Sequence, residues 1–129
     1  MIVNVVDTSA VVRALIEGGV PLHRLTAPQE VFVAPAHLDA EVGHALRGLA
    51  RGGVISDEQG SDCIADLRKL PVTRIPASTL VERAWELRKN ATFYDALFVA
   101  LAEELGCSLL TCDARFLGIP GIRCAIERL

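Results

Sequence analysis

The chain has 129 residues, enough for one domain (residues 1–129) whose core needs no staples. Hydrophobic residues make up 51% of it, which excludes disorder, and no apolar run nears the roughly 18 residues of a membrane span. Thirteen basic residues against 16 acidic leave a net charge of −3, which at face value argues against a nucleic-acid partner.

Met1–Val6 is a β-branched run that reads as a buried strand, and it lacks the basic start and long apolar stretch of a secretory signal. A soluble, cytoplasmic protein is therefore expected. Asp7-Thr8-Ser9 supplies three candidate N-caps for a helix over Ala10–Glu17, stopped by Gly18-Gly19. Leu22–Ala27 reads as a short helix, and Val31–Ala34 as a second strand ended by Pro35. His37–Arg51 is an amphipathic helix with Leu38, Val42, Ala45, Leu46 and Leu49 on one stripe, closed by Gly52-Gly53. Ser56-Asp57-Glu58-Gln59 is a capping-box start for a helix through Arg68. Val72–Ile75 is a third strand between prolines, and Ser78–Asn90 a further helix. Thr92-Phe93-Tyr94-Asp95 opens a helix to Leu105 that is apolar all round from Ala96 to Ala102 and is expected to be buried. Ser108–Thr111 is a fourth strand and Arg123–Ile126 a fifth. This alternation predicts an α/β fold of three layers, α/β/α, around a mainly parallel sheet of four to five strands. The four cysteines form no CxxC pair, and Cys107 and Cys112, at the ends of one strand, would lie roughly 16 Å apart, too far for a disulfide. Buried thiols in a reducing compartment are expected.

In open α/β sheets ligands bind outside the carboxyl ends of the strands. Asp7 follows the first strand directly, and Asp113 lies two residues past the fourth. Asp95 sits in the first turn of the buried helix, and Glu41 in the first turns of the helix after the second strand. Each has a purely structural alternative: Asp7 as a helix cap, Asp95 as the capping-box partner of Thr92, Asp113 as a turn residue. At about 100° per residue, Glu41 falls at the edge of the apolar stripe while Asp39 points away to solvent. His37 and His44 lie on the Glu41 side, which raises a His/Glu/His metal cluster as a further alternative. Four converging carboxylates would raise one another's pKa, a conflict that divalent cations remove; an all-oxygen donor set suits Mg²⁺ or Mn²⁺ rather than zinc. Such ions activate water and stabilise displacement at phosphorus.

At these residues the sequence resembles the PIN-domain family, specifically its VapC-type toxins. The matching segments are VVDTSAVV at Val5–Val12, PAHLDAEVGHALRGL at Pro35–Leu49, TFYDALFVALAEELG at Thr92–Gly106 and LLTCDARF at Leu109–Phe116. The resemblance implies a Mg²⁺-dependent endoribonuclease, the toxin of a toxin–antitoxin pair, with Mn²⁺ as a possible substitute. By position Asp7, Glu41, Asp95 and Asp113 match the family's acidic quartet, with Asp7 and Asp95 closest to its metal ligands. Thr8, Ser9 and Thr111 match its polar positions near the metal, and Arg115 follows the last acid, where it would contact phosphate or merely decorate a helix. Phe98 stands where many relatives have Tyr, a change expected to affect packing only. The implied partners are RNA, a cognate antitoxin that blocks the acidic site, and a second copy in a homodimer, the assembly with antitoxin being a heterotetramer or larger. The stretch from Val54 to Arg88 carries no family signature.

A receiver-like phosphoacceptor module also places acids at strand ends, but it needs paired acids after the first strand and a late Lys, and no Lys follows Lys89. A phosphatase of the haloacid-dehalogenase type needs a DxD motif, and Asp7 is followed by Thr8-Ser9. A catalytically inactive PIN-fold binding module is the remaining alternative. Setting the quartet aside leaves 12 acids against 13 bases, with eight basic and six acidic residues between Val42 and Tyr94. The net acidity thus gathers where a metal-dependent nuclease would use it, and it does not exclude RNA.

Overall fold

The computed structural model describes residues 1–129. Five strands, β1 (Ile2–Val6), β2 (Glu30–Pro35), β3 (Val72–Ile75), β4 (Leu109–Thr111) and β5 (Ile126–Arg128), form one sheet in the order β3-β2-β1-β4-β5. Every pairing is parallel: Val3 sits opposite Val31, Phe32 opposite Val72, Val6 opposite Leu110 and Leu110 opposite Glu127. Six α-helices connect them: α1 (Thr8–Glu17), α2 (Gly19–Thr26), α3 (Leu38–Arg51), α4 (Asp57–Leu67), α5 (Val81–Glu86) and α6 (Phe93–Leu105). The α/β/α architecture read from the sequence is observed, with all five strands present and wholly parallel.

The core centres on α6, which packs across β1, β2 and β4 and carries α5 on its flank. All seven residues from Ala96 to Ala102 are buried, because this helix has the sheet on one side and helices on others. Truncating one of its large side chains, such as Leu101, would cost about 2–5 kcal/mol. Gly106, at φ 64°, ends α6 in the left-handed region that lets the Cys107 amide reach back to the Ala102 carbonyl at 3.0 Å. Helix α1 packs against α2, α3, α4 and β4, and α2 against β2. The capping box of Ser56 and Gln59 forms as expected, with reciprocal bonds of 3.0 and 2.9 Å.

Several boundaries differ from the sequence reading, each for a local reason. Helix α2 starts at Gly19, not Leu22: Gly18 turns the chain at φ 65°, and Pro21 falls in the first turn, where no amide donor is required. The helix expected over Ser78–Asn90 is a 3₁₀ turn (Ala77–Thr79) followed by the short α5. Beyond Glu86 the chain tightens, with Leu87, Arg88 and Asn90 bonding three residues back. The last strand lies at Ile126–Arg128 rather than Arg123–Ile126. The Arg123 amide is taken by the Glu103 carboxylate at 2.6 Å, and Ala125 enters the ladder through its carbonyl to Leu109. Ile2 and Val3 are exposed, so only the carboxyl half of β1, Val5 and Val6, is buried.

After β3 the chain returns to the other side of β1 to lay down β4 and β5. The strand order therefore reverses between β1 and β4, and in such sheets the crevice outside their carboxyl ends is the expected ligand site.

Candidate active site

A cavity of about 580 Å³ opens at that crevice, and its wall includes Asp7, Glu41, Asp95 and Asp113. The four acids expected from the sequence are thus brought together from four elements: the end of β1, α3, α6 and the turn after β4. Thr8, Ser9 and Arg115 line the same cavity.

Asp7 is buried, 3% exposed, and serves as the N-cap of α1 through the Ala10 amide at 3.0 Å. Its carboxylate also accepts the hydroxyls of Thr111 at 2.6 Å and Ser9 at 2.8 Å. The capping role and the site position therefore coincide, because α1 lines the cavity from its first residue onward. Burial drives the Asp7 pKa up to about 6; the bonds from Thr111, Ala10 and Ser9 offset part of the rise, and no cation touches the group. Thr111 is fully buried and also receives the Asp113 amide at 2.9 Å, so one hydroxyl ties β4 to two of the acids.

Asp95 stands in the first turn of α6, where Thr92 caps its amide at 3.1 Å. The reciprocal bond of a capping box, from the Asp95 carboxylate to the Thr92 amide, is not made, which leaves the carboxylate turned to the cavity. Burial raises its pKa, and the neighbouring Glu41 and Asp113 push the same way against the pull of Arg115. The amino end of α6 contributes a favourable dipole at this position.

Glu41 accepts the Thr8 hydroxyl at 2.8 Å and lies 3.3 Å from His37 Nε2. Burial alone would raise Glu41, but the bonds from His37 and Thr8 outweigh it and the net direction is down. His37 Nε2 also faces the Tyr94 carbonyl at 3.1 Å, and its ring rests on Phe98 with centroids 4.8 Å apart. Nε2 thus faces two oxygens, while Nδ1 is buried without a partner. His37 thereby links the start of α3 to the start of α6, a positioning role that its four-residue spacing from Glu41 hints at. His44 is exposed, and no His/Glu/His cluster forms. Phe98 is buried and packs on His37, as its position implies. Asp39 points away from the site, as the helical angle indicates, and pairs with Arg74 at 2.8 Å.

Asp113 caps a 3₁₀ turn (Ala114–Gly118) and is gripped by Arg115 through backbone and guanidinium, at 2.9 and 2.6 Å. That grip holds its carboxyl below the usual range. Arg115, three-quarters exposed, thus faces inward to an acid rather than lying free along a helix. As the side chains stand, no three His, Cys, Asp or Glu groups converge on a single ion position. All four cysteines are free, and burial pushes the Cys63, Cys107 and Cys124 thiols upward, away from the thiolate form.

The PIN-domain family model matches residues 5–122. This chain belongs to the PIN-domain family. Ribonuclease VapC1 of Mycobacterium tuberculosis is 45% identical to this PIN domain over 126 residues, covering 95% of each chain. Two solved structures share the fold at low identity. VapBC2 from Rickettsia felis, bound to a DNA fragment from their promoter, superposes with a TM-score of 0.69 at 17% identity over 98% of both chains. A toxin–antitoxin complex from Klebsiella pneumoniae gives 0.59 at 20% identity over 98% and 99%. No helix of the chain is long and apolar enough to cross a membrane.

Proposed function

We propose that this PIN domain is a divalent-metal-dependent endoribonuclease, the toxin of a cytoplasmic toxin–antitoxin pair. It would hydrolyse RNA phosphodiesters with water activated at the acidic quartet. The observation that carries the reading is the meeting of Asp7, Glu41, Asp95 and Asp113 in one cavity at the switch point of a parallel sheet, with Asp7 and Asp95 both raised by burial. The 45% identity to a protein named as a ribonuclease supports it.

The donor set fits a hard cation: four carboxylates, no imidazole along the cavity wall, and two acids whose ionised forms burial disfavours. Asp7 and Asp95 are the proposed primary ligands of Mg²⁺, or of Mn²⁺ in its place, and Glu41 and Asp113 complete the site. Such an ion would supply Lewis acidity, toward water as nucleophile and toward the charge developing on the phosphate. The protein's own groups set the geometry. Thr111, Ser9 and the Ala10 amide fix the Asp7 carboxylate, which therefore needs no rearrangement on ionisation. Thr8 and His37 hold Glu41 ionised and aimed at the cavity. Asp113 must part from Arg115 to join the set, and the freed guanidinium is then placed to hold an RNA phosphate.

The resemblance further implies an antitoxin that blocks this cavity and a homodimer joined by antitoxin into a heterotetramer or larger; we propose both for this chain. Purified protein should cleave RNA with Mg²⁺ or Mn²⁺ and stop on addition of EDTA. Expression should arrest growth, with relief by a neighbouring gene. Asp95→Asn protein that cuts as fast as the wild type would overturn the site assignment. Absence of both cleavage and growth arrest would favour a binding module.

A further inference from the structure

The chain holds one Trp and one Tyr, and both are 60% exposed, against the usual burial of such rings. They flank the turn that joins the carboxyl end of α5 to the amino end of α6, two helices that pack together. Trp85 is on α5, which packs along α6, and Tyr94 is in the first turn of α6 beside Asp95. The segment between them, Leu87–Ala91, contains Arg88 and Lys89, and from Leu87 through Tyr94 there is no acid. Neither cation enters an ion pair, whereas Arg83 and Glu86 on the same helix satisfy each other. The Arg88 guanidinium lies over the Trp85 ring, 4.7 Å from its centroid. The Tyr94 ring stacks near His37, with centroids 5.8 Å apart at an interplanar angle of 29°.

This strip is held in place rather than loosely attached. Asn90 donates to the Pro120 carbonyl at 3.0 Å, and Arg83 donates to the Gly121 carbonyl at 2.8 Å and to the Glu103 carboxylate on α6 at 2.7 Å. Two exposed aromatic rings, one under a guanidinium, with two cations outside any ion pair in the turn that joins them and the cavity acid Asp95 next in sequence to Tyr94, match the chemistry of single-stranded nucleic acid. Bases offer faces for stacking, and the cations meet the backbone. A duplex keeps its bases stacked inside and cannot use the rings this way. The acidic cavity repels phosphate on its own, so RNA needs a foothold outside it.

We propose that Trp85, Arg88, Lys89 and Tyr94 form a stacking and phosphate-holding strip that binds the single-stranded RNA flanking the bond to be cut. The proposal rests on the ribonuclease reading above for the nature of its ligand. Trp85 is the sole tryptophan, so its emission reports the contact directly. Metal-free wild-type protein in EDTA is titrated with a short fluorescein-labelled single-stranded RNA of mixed sequence, following Trp85 emission and RNA anisotropy. RNA should quench Trp85. Trp85→Ala should weaken binding about 10-fold, and Trp85→Phe should retain most of it. The Arg88→Gln/Lys89→Gln double variant should flatten the salt dependence by a slope of roughly 1.4, for two contacts to a single strand. RNA that binds without quenching Trp85 and with equal affinity for Trp85→Ala overturns the strip. So does emission that shifts with protein concentration in the absence of RNA, together with a dimer that Trp85→Ala dissociates, since a second copy then covers this face. Cleavage is scored separately on the same protein with Mn²⁺. Cleavage without the Trp85 contact leaves the ribonuclease reading intact and removes the strip; binding through Trp85 without cleavage does the reverse.

Discussion

Two acidic clusters of this molecule treat buried charge in opposite ways. Glu30, at the start of β2, is nearly buried, yet Arg24 donates two bonds to it and two more to Glu127 of β5, while Asn4 adds a third donor to Glu30 at 2.6 Å. The Arg24 bonds hold the Glu30 carboxyl below its usual range. Asp7, only a few residues along β1 from Asn4, receives hydroxyls and one amide and no cation, and burial raises it to about 6. The chain thus has guanidinium groups enough to neutralise interior acids and applies them at the Arg24 cluster, but leaves Asp7 with none and Asp95 with a pull from Arg115 that does not offset its burial. A site kept in that condition is unstable by itself and favourable for a cation from outside.

That contrast can be broken or sharpened by measurement. The largest effect is expected at the site: Asp95→Asn should lower metal-dependent RNA cleavage at least about 100-fold while leaving the circular dichroism unchanged. At the Arg24 cluster, Arg24→Ala should leave Glu30 unpaired and cost about 2–4 kcal/mol in urea unfolding, without altering the quartet. At Asp7 the sign reverses. Asp7→Asn should stabilise the metal-free protein at pH 7 by about 1–2 kcal/mol, seen as a rise in Tm in EDTA, although it removes activity.

The pH dependence follows the same division. Asp7 binds its proton more tightly folded than unfolded, so its favourable contribution is complete below 3.8 and is lost as the pH rises through about 6. Glu30 and Glu103, both lowered, contribute stability above the ordinary carboxylate range and lose it as the pH falls. In EDTA, the stability gap between Asp7→Asn and wild type should therefore widen from pH 4 to pH 6.5 and then level off. A gap that stays constant over that range would show that Asp7 titrates normally. The smallest effect concerns Arg115, whose side chain is 78% exposed. Arg115→Gln should free Asp113 and tighten Mn²⁺ binding only about threefold by calorimetry, because solvent screens the pair.

Much of the site was readable because acids at strand ends stand out against apolar runs. Asp7 interrupts the β-branched stretch before α1, and Asp95 heads a helix apolar on every side, where an unpaired carboxylate needs a reason. Glu41 was readable from helical angle alone. The capping bonds of Asp7 and Asp113 and the Thr92 cap of Asp95 do form, so the structural and functional readings of those residues are compatible rather than rival. What escaped the sequence was pairing at long range or through short side chains. The Arg115 grip on Asp113 depends on a 3₁₀ turn that no periodicity announces. The last strand was displaced because its polar residues, Glu127 and Arg128, mask an edge strand, and the carboxylate that claims the Arg123 amide lies twenty residues away on α6.

By itself the sequence determined the alternation of strands and helices, the burial of α6 and the candidacy of the four acids. These are periodic or local properties, carried by side chains within a few residues of one another. Only the tertiary structure decided that β1 and β4 are neighbours, that all five strands run parallel, and that Asp7 is left without a cation while Glu30 receives Arg24. It also decided that Trp85, Tyr94 and the two unpaired cations between them in sequence stay in solvent. Those outcomes depend on which elements meet across the sheet and on how far each carboxylate is drawn from water, quantities set by packing between distant parts of the chain.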